Sequence, residues 1–236
     1  MMASRNGGKK RAAAPPSPRA GETAGRGDDP VRRRIIDATF RVLVEHGYAR
    51  ANTREIARVA KVSKRELYAL FGSKQAILAA MIAGRTREMR RPLSLPAVES
   101  REALAATLHR FGAGLLREAS QPAVTTLFRL AVIEAERSPE VARTLDAGGR
   151  RANRGALTEF LARARARELI AGAEAGLMAA QFLSLLWGNL LLDLAMGIAK
   201  PPGAAEIERR AGAATEALLA LYPGSSGTRP RAGAGK

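Results

Sequence analysis

Residues 52–74 read NTREIARVAKVSKRELYALFGSK. Two short helices and the turn between them are legible there. Asn52 stands as the N-cap of the first, with Glu55 three residues on. In that capping-box pattern each side chain satisfies a backbone N–H that the first turn leaves without a partner. Ile56, Val59 and Ala60 then share one face. Ser63 and Glu66 repeat the pattern for the second helix. Its apolar face is Leu67, Leu70 and Phe71, and Gly72 ends it. About three residues separate the helices, a length that lets them cross at a steep angle.

With the apolar faces turned inward, the second helix exposes Lys64, Arg65, Tyr68 and Ala69. An outward face with a basic N-terminal end suits the major groove of DNA. The first turn reaches base edges while the flanks hold phosphates. The pair is therefore read as a helix-turn-helix.

The surrounding residues resemble the DNA-binding domain of the TetR family of dimeric bacterial repressors. The similarity covers residues 31–82. It rests on Thr53-Arg54-Glu55-Ile56-Ala57, Ala60-Lys61-Val62-Ser63, Leu67-Tyr68-Ala69-Leu70-Phe71 and Ser73-Lys74-Gln75-Ala76-Ile77-Leu78, in that order and spacing. The resemblance implies that Thr53, Tyr68 and Lys74 touch phosphates, and that Arg54, Lys64 and Arg65 meet bases. Lys61 departs from the family's usual Gly. If the backbone there takes a positive φ, Lys costs roughly 1 kcal/mol against Gly. It also brings a positive charge close to the DNA.

Charge supports a nucleic-acid partner. The 236 residues carry a net charge of +17. Residues 1–91 hold 21 Lys+Arg against 8 Asp+Glu, whereas the remainder holds 18 against 14. The basicity thus lies with the proposed reading end, as phosphate neutralisation requires. Six of those 21 cations fall in residues 1–30, so a solvated basic tail explains part of the asymmetry and not most of it.

Aromatic residues are 4% of the chain and strand-like alternation is absent, so the composition favours an all-α fold. There is no Cys, which excludes disulfides and thiolate metal sites and suits a cytoplasmic protein. The two His, His46 and His109, are far apart in sequence. No H-E-x-x-H pattern or phosphate-cradling Gly loop is present, so neither an enzyme nor a metal or cofactor site is expected.

The domain organisation is read as a disordered basic tail (1–28), a DNA-binding head with its connecting helix (29–91), a helical ligand-binding and dimerisation domain (92–222) and a second tail (223–236). Asp29-Pro30 starts a support helix with Val31, Ile35, Ile36, Thr39, Phe40, Leu43 and Val44 inward, stopped by Gly47. His46 sits in its last turn, where a ring can meet the negative dipole end. Ser73 caps a helix that runs to about Arg91, ended by Pro92 and Pro96. Further helices are predicted over 101–119, 122–137, 140–167, 177–198 and 205–222, with Gly148-Gly149 breaking or bending the third. The run Glu134–Val141 is similar to the AefR-like subgroup of the family.

Residues 177–198, LMAAQFLSLLWGNLLLDLAMGI, are long enough to span a membrane. Gln181, Asn189 and Asp193 interrupt them, and a charge is costly at a bilayer centre. A helix buried in protein is the expectation. In 205–222, Ile207, Ala211, Ala214, Leu218 and Leu221 form a seam for a partner helix, or for a neighbour within the same chain.

The resulting reading is a ligand-responsive repressor. As a homodimer paired through 177–222 it binds a palindromic operator in double-stranded DNA, and a small, mostly apolar effector releases it. Ligand control and pairing are what the resemblance implies. The effector cavity is expected among the helices from 101 to 198, lined by Phe111, Phe128, Trp187 and Asn189, with Asp193 as polar anchor. For the aromatics, ordinary core is the alternative; for Asn189 and Asp193, contacts across the dimer. A non-specific architectural DNA binder without an effector is the alternative function.

Overall fold

The computed structural model describes residues 29–94 and 98–224, and among these every regular element is helical. The head comprises α1 (Pro30–Arg50), α2 (Thr53–Ala60), α3 (Lys64–Phe71) and α4 (Lys74–Arg90). The larger unit comprises α5 (Arg101–Ala119), α6 (Pro122–Ile133), α7 (Pro139–Leu145), α8 (Ala152–Ala166), α9 (Ala175–Trp187), α10 (Leu190–Met196) and α11 (Ala204–Leu221). The expectations for 1–28, Pro96 and 225–236 lie outside the described residues.

Caps place the helix starts where the sequence predicts them. Asp29 accepts from the Val31 N–H at 2.9 Å, Asn52 from Glu55 at 2.9 Å, Ser63 from Glu66 at 3.0 Å and Ser73 from Ala76 at 3.1 Å. Gly47 interrupts α1 with φ 74° and ψ 170°, a conformation open to Gly because it has no Cβ. Tyr48 and Ala51 then turn into the head core. On α1, Val42 is buried and Val44 is 46% exposed, which reverses the expected register at that point. Arg32 reaches from α1 to α3, donating to the Leu70 carbonyl at 3.3 Å with its guanidinium 4.3 Å from the Phe71 ring centroid.

Two apolar clusters hold the chain together, and they do not divide it at one point. The first joins α1–α4 but also takes in Leu127 and Ala131 from α6 and Val141 from α7. The second is built on α5, α8, α9 and α11 around Leu108, Phe111, Leu157, Phe182 and Leu218. The head is therefore seated on α6 and α7 by shared core.

Four helical expectations are refined. Helix α6 ends at Ile133 rather than near 137. Ser138 precedes Pro139, whose ring disfavours a helical residue before it. The interruption expected at Gly148-Gly149 takes the form of a π-helical turn, Asp146–Arg151, which separates α7 from α8. The predicted helix over 177–198 is two helices, α9 and α10, bent by 49° at Gly188. Gly188 has φ 47° and ψ −126°. Among the described residues no single helix is long and apolar enough to cross a membrane.

The fourth concerns the seam on α11. Ile207, Ala211, Ala214 and Leu218 are buried against α5 and α9 of the same chain, while Leu221 is 58% exposed. The small residues let α11 approach α5 closely: a Cβ on Gly112 would lie 3.6 Å from that of Ala211. Arg101 fixes the antiparallel register by donating to the carbonyls of Leu219 and Tyr222 at the end of α11, and to Leu169 at 2.8 Å. Pro223, expected to open the second tail, accepts from the Ala171 N–H at 3.0 Å.

Candidate nucleic-acid interface and the cavity behind it

Helix α3 buries Leu67 and turns Lys64, Arg65 and Tyr68 outward, with Tyr68 42% exposed. Lys61, between the helices, takes φ 55° and ψ 47°. This is the left-handed conformation that the departure from Gly brings into question, so the strain is present. The geometry carries the turn even so: the Lys61 N–H donates to Arg58 at 3.2 Å and the Val62 N–H to Ala57 at 3.0 Å.

The cations on this face differ in their partners. Arg58 is paired with Glu55 on its own helix. Arg54, Lys64 and Arg65 are exposed and form no ion pair among the described residues. Lys64 leans toward the Tyr68 ring, 5.7 Å from its centroid. Thr53 and Tyr68 are joined hydroxyl to hydroxyl at 3.1 Å, so their two helices present one polar ridge. Lys74 lies apart. Its ammonium donates to the Tyr48 carbonyl at 2.8 Å and sits 3.7 Å from the Tyr48 ring centroid. Burial lowers its pKa below that of an ordinary lysine, against the pull of Glu140 and Glu134. An ammonium has three donors, and the carbonyl takes one.

Behind the head, a cavity of about 510 Å³ opens between α4, α5, α6, the π-helical turn, α8 and α9. Its size is that of a small-molecule site. The wall is mostly apolar, with Met89, Leu115, Phe128, Leu183 and Trp187 among its residues. Four positions of α4 face it: Ile82, Arg85, Thr86 and Met89. Arg85 is paired with Glu118 at 2.7 Å and reaches Gln121 at 3.2 Å. Thr86 donates toward the Gly148 carbonyl at 3.0 Å, tying α4 to the π-helical turn.

Of the residues proposed for a ligand, Phe128 and Trp187 line this cavity and the other three do not. Phe111 is fully buried against Phe182, with ring centroids 6.4 Å apart, and serves as core. The break at Gly188 carries Asn189 to the surface, and Asp193 lies beyond the break on α10. Residues two and six positions on from Trp187 also fall on the far side of a helix from it. Sequence reasoning missed the wall supplied by α4 and the π-helical turn. The Gly148-Gly149 pair was the visible sign of that turn.

Comparison with known proteins agrees with this architecture. Residues 35–81 match the model of bacterial regulatory proteins of the tetR family, and residues 106–224 match the C-terminal domain of AefR-like transcriptional repressors. The HTH-type transcriptional regulator BetI of Agrobacterium fabrum is 31% identical over 50% of this chain, which spans 58% of that regulator's length. A TetR transcriptional regulator from Agrobacterium tumefaciens is 27% identical, with a TM-score of 0.69, over 84% of this chain and 96% of the other. The flavonoid-responsive regulator FrrA is 28% identical, with a TM-score of 0.65, over 86% and 98%. With both halves matched in order, this chain belongs to the TetR family of helix-turn-helix transcriptional regulators.

Proposed function

We propose that the protein is a ligand-responsive repressor that binds a palindromic operator as a homodimer and leaves it when a small, mostly apolar effector occupies the cavity behind the head. The observation that carries this reading is that one helix serves both ends. Helix α4 places Ile77, Leu78 and Met81 in the head core and Ile82, Arg85, Thr86 and Met89 on or beside the cavity wall. A ligand that favours one position of α4 thereby favours one position of α3. Its leverage equals its differential affinity for the two positions.

Arg54, Lys64 and Arg65 are assigned to bases, and Thr53, Tyr68 and Lys74 to phosphates. The ridge joining Thr53 to Tyr68 and the unpaired cations support the assignment. One reading helix gives limited base discrimination, so two copies about 34–36 Å apart are needed for a usable specificity ratio. The exposed apolar residues Leu177, Leu185 and Leu192 lie within the stretch assigned to pairing. That FrrA responds to flavonoids supports a small-molecule effector for this chain.

The test compares binding to a palindromic fragment from the protein's own promoter with binding to random DNA at fixed salt, with the stoichiometry read by sedimentation. Preference for the palindrome with two protomers per site is expected. Equal affinity for random DNA would replace this reading with an architectural binder.

A further inference from the structure

The polar fittings of the cavity define the molecule it suits. Four guanidinium groups reach its wall, from Arg85, Arg150, Arg151 and Arg154, against two carboxylates, Glu118 and Asp146. Arg85 is neutralised by Glu118 at 2.7 Å. Arg150 and Arg151 share the single Asp146, at 3.4 and 2.8 Å. Arg154 has no carboxylate partner among the described residues. The rim on this side therefore carries more positive charge than negative.

Asn153 stands among these arginines but faces inward. It is 5% exposed, it lines the cavity, and its side-chain oxygen has no hydrogen-bond partner. Protein interiors rarely leave a buried amide oxygen without a donor, because the lost hydration is not replaced. A hydroxyl suits this amide in either orientation, since it both donates and accepts. Asn153 and the three arginines occupy neighbouring turns, so the groups they bind lie close together on the ligand. The apolar walls of Met89, Leu115, Phe128, Leu183 and Trp187 lie on other helices.

We infer that the cavity takes an amphipathic hydroxy acid: a carboxylate facing Arg154 and Arg151, a nearby hydroxyl on the Asn153 amide, and an apolar body among Met89, Leu115, Phe128, Leu183 and Trp187. The inference rests on the reading of this cavity as the effector site. A carboxylate forms hydrogen-bonded ion pairs with guanidinium groups, which a neutral ester or a cationic amine does not. The apolar body supplies affinity, and the charged and hydroxyl groups fix its direction.

Trp187 is the chain's single tryptophan, so its fluorescence reads occupancy with no DNA present. The full chain is titrated with β-hydroxylaurate, its methyl ester, laurate, laurylamine and the neutral polyphenol naringenin. Saturable binding of β-hydroxylaurate is expected, with the ester, the amine and naringenin weaker by about tenfold or more and laurate weaker by about fivefold. Arg154→Gln removes an exposed, unpaired side chain. It is expected to weaken the acid about fivefold and leave the ester unchanged. Asn153→Leu is expected to abolish the difference between β-hydroxylaurate and laurate. If that variant fails to fold, the Arg154→Gln comparison still decides.

Equal or tighter binding of the ester, the amine or naringenin overturns the ligand class, as does the absence of binding by β-hydroxylaurate. The regulator reading is scored separately, on the palindromic promoter fragment. DNA binding by a protein that ignores the acid sinks the ligand class alone. Saturable Trp187 quenching in a protein that ignores DNA sinks the regulator reading alone.

Discussion

The hydroxyls of Thr53 and Tyr68 lie 3.1 Å apart, one on the first turn of α2 and the other on the outward face of α3. Both were assigned to phosphates, and the bond between them fixes the spacing of two contacts before DNA arrives. Tyr68→Phe keeps the ring and removes the link. It is expected to weaken binding to every sequence by about 0.5–1.5 kcal/mol, the worth of one hydrogen bond, without changing the preferred site. Fluorescence anisotropy on several duplexes at one salt concentration checks this. A loss confined to one duplex would mean that Tyr68 reads a base.

Arg65 is exposed and carries no ion pair among the described residues. Arg65→Ala is expected to cost about 1–3 kcal/mol on the preferred site and to relax the choice of base at particular positions. Selection from a randomised duplex library reads the change. An unaltered preferred sequence would remove Arg65 from the base-reading set.

At Lys61 the left-handed backbone, φ 55°, makes a double prediction. Lys61→Gly relieves roughly 1 kcal/mol of strain, which raises the melting temperature by about 2–4 °C. If Lys61 also meets a phosphate, the same change flattens the salt dependence of DNA binding by about one unit of slope. Thermal unfolding and a salt titration of one variant separate the two effects.

Glu55 is held below the usual carboxylate range, chiefly by its hydrogen bond from Arg58 and further by the charges of Arg58 and His46. The folded head therefore binds fewer protons there than the unfolded chain. This contribution to stability is present above the ordinary carboxylate pKa and is lost as pH falls through the depressed value. Glu55→Gln is expected to lower stability at neutral pH, to leave it nearly unchanged at the acid end, and so to flatten the acid limb between them. Denaturant unfolding across that range tests it, and an unaltered acid limb would reject the assignment.

Gly148 sits against α4 so closely that a Cβ would lie 2.9 Å from Ile82 Cγ2, whereas a Cβ on Gly149 would meet nothing within 4 Å. Gly148→Ala is expected to destabilise the fold by about 1–3 kcal/mol and to weaken the effect of ligand on DNA binding. Gly149→Ala is its control and should be neutral or stabilising. Equal behaviour of the two variants would show that the π-helical turn does not bear on α4.

The local level was legible from the sequence. Asn52, Ser63 and Ser73 act on N–H groups three residues away, so the spelling alone placed the helix starts of the reading pair and of α4. The outward side of α3 followed from Leu67 and its period, because eight residues leave only one face for the core. Distance in sequence limited the rest. Whether Ala211 and Leu218 meet a partner copy or α5 of the same chain is a choice between surfaces of one chemistry; both are buried within the chain, where Arg101 also ties the start of α5 to the end of α11. Trp187 and Asn189 were expected in one cavity, yet residues two apart on a helix face opposite sides, and the break at Gly188 starts a new helix after Trp187. The walls of the cavity come from segments up to about a hundred residues apart, each with an ordinary apolar period of its own, and only their packing shows which side chains enclose the space.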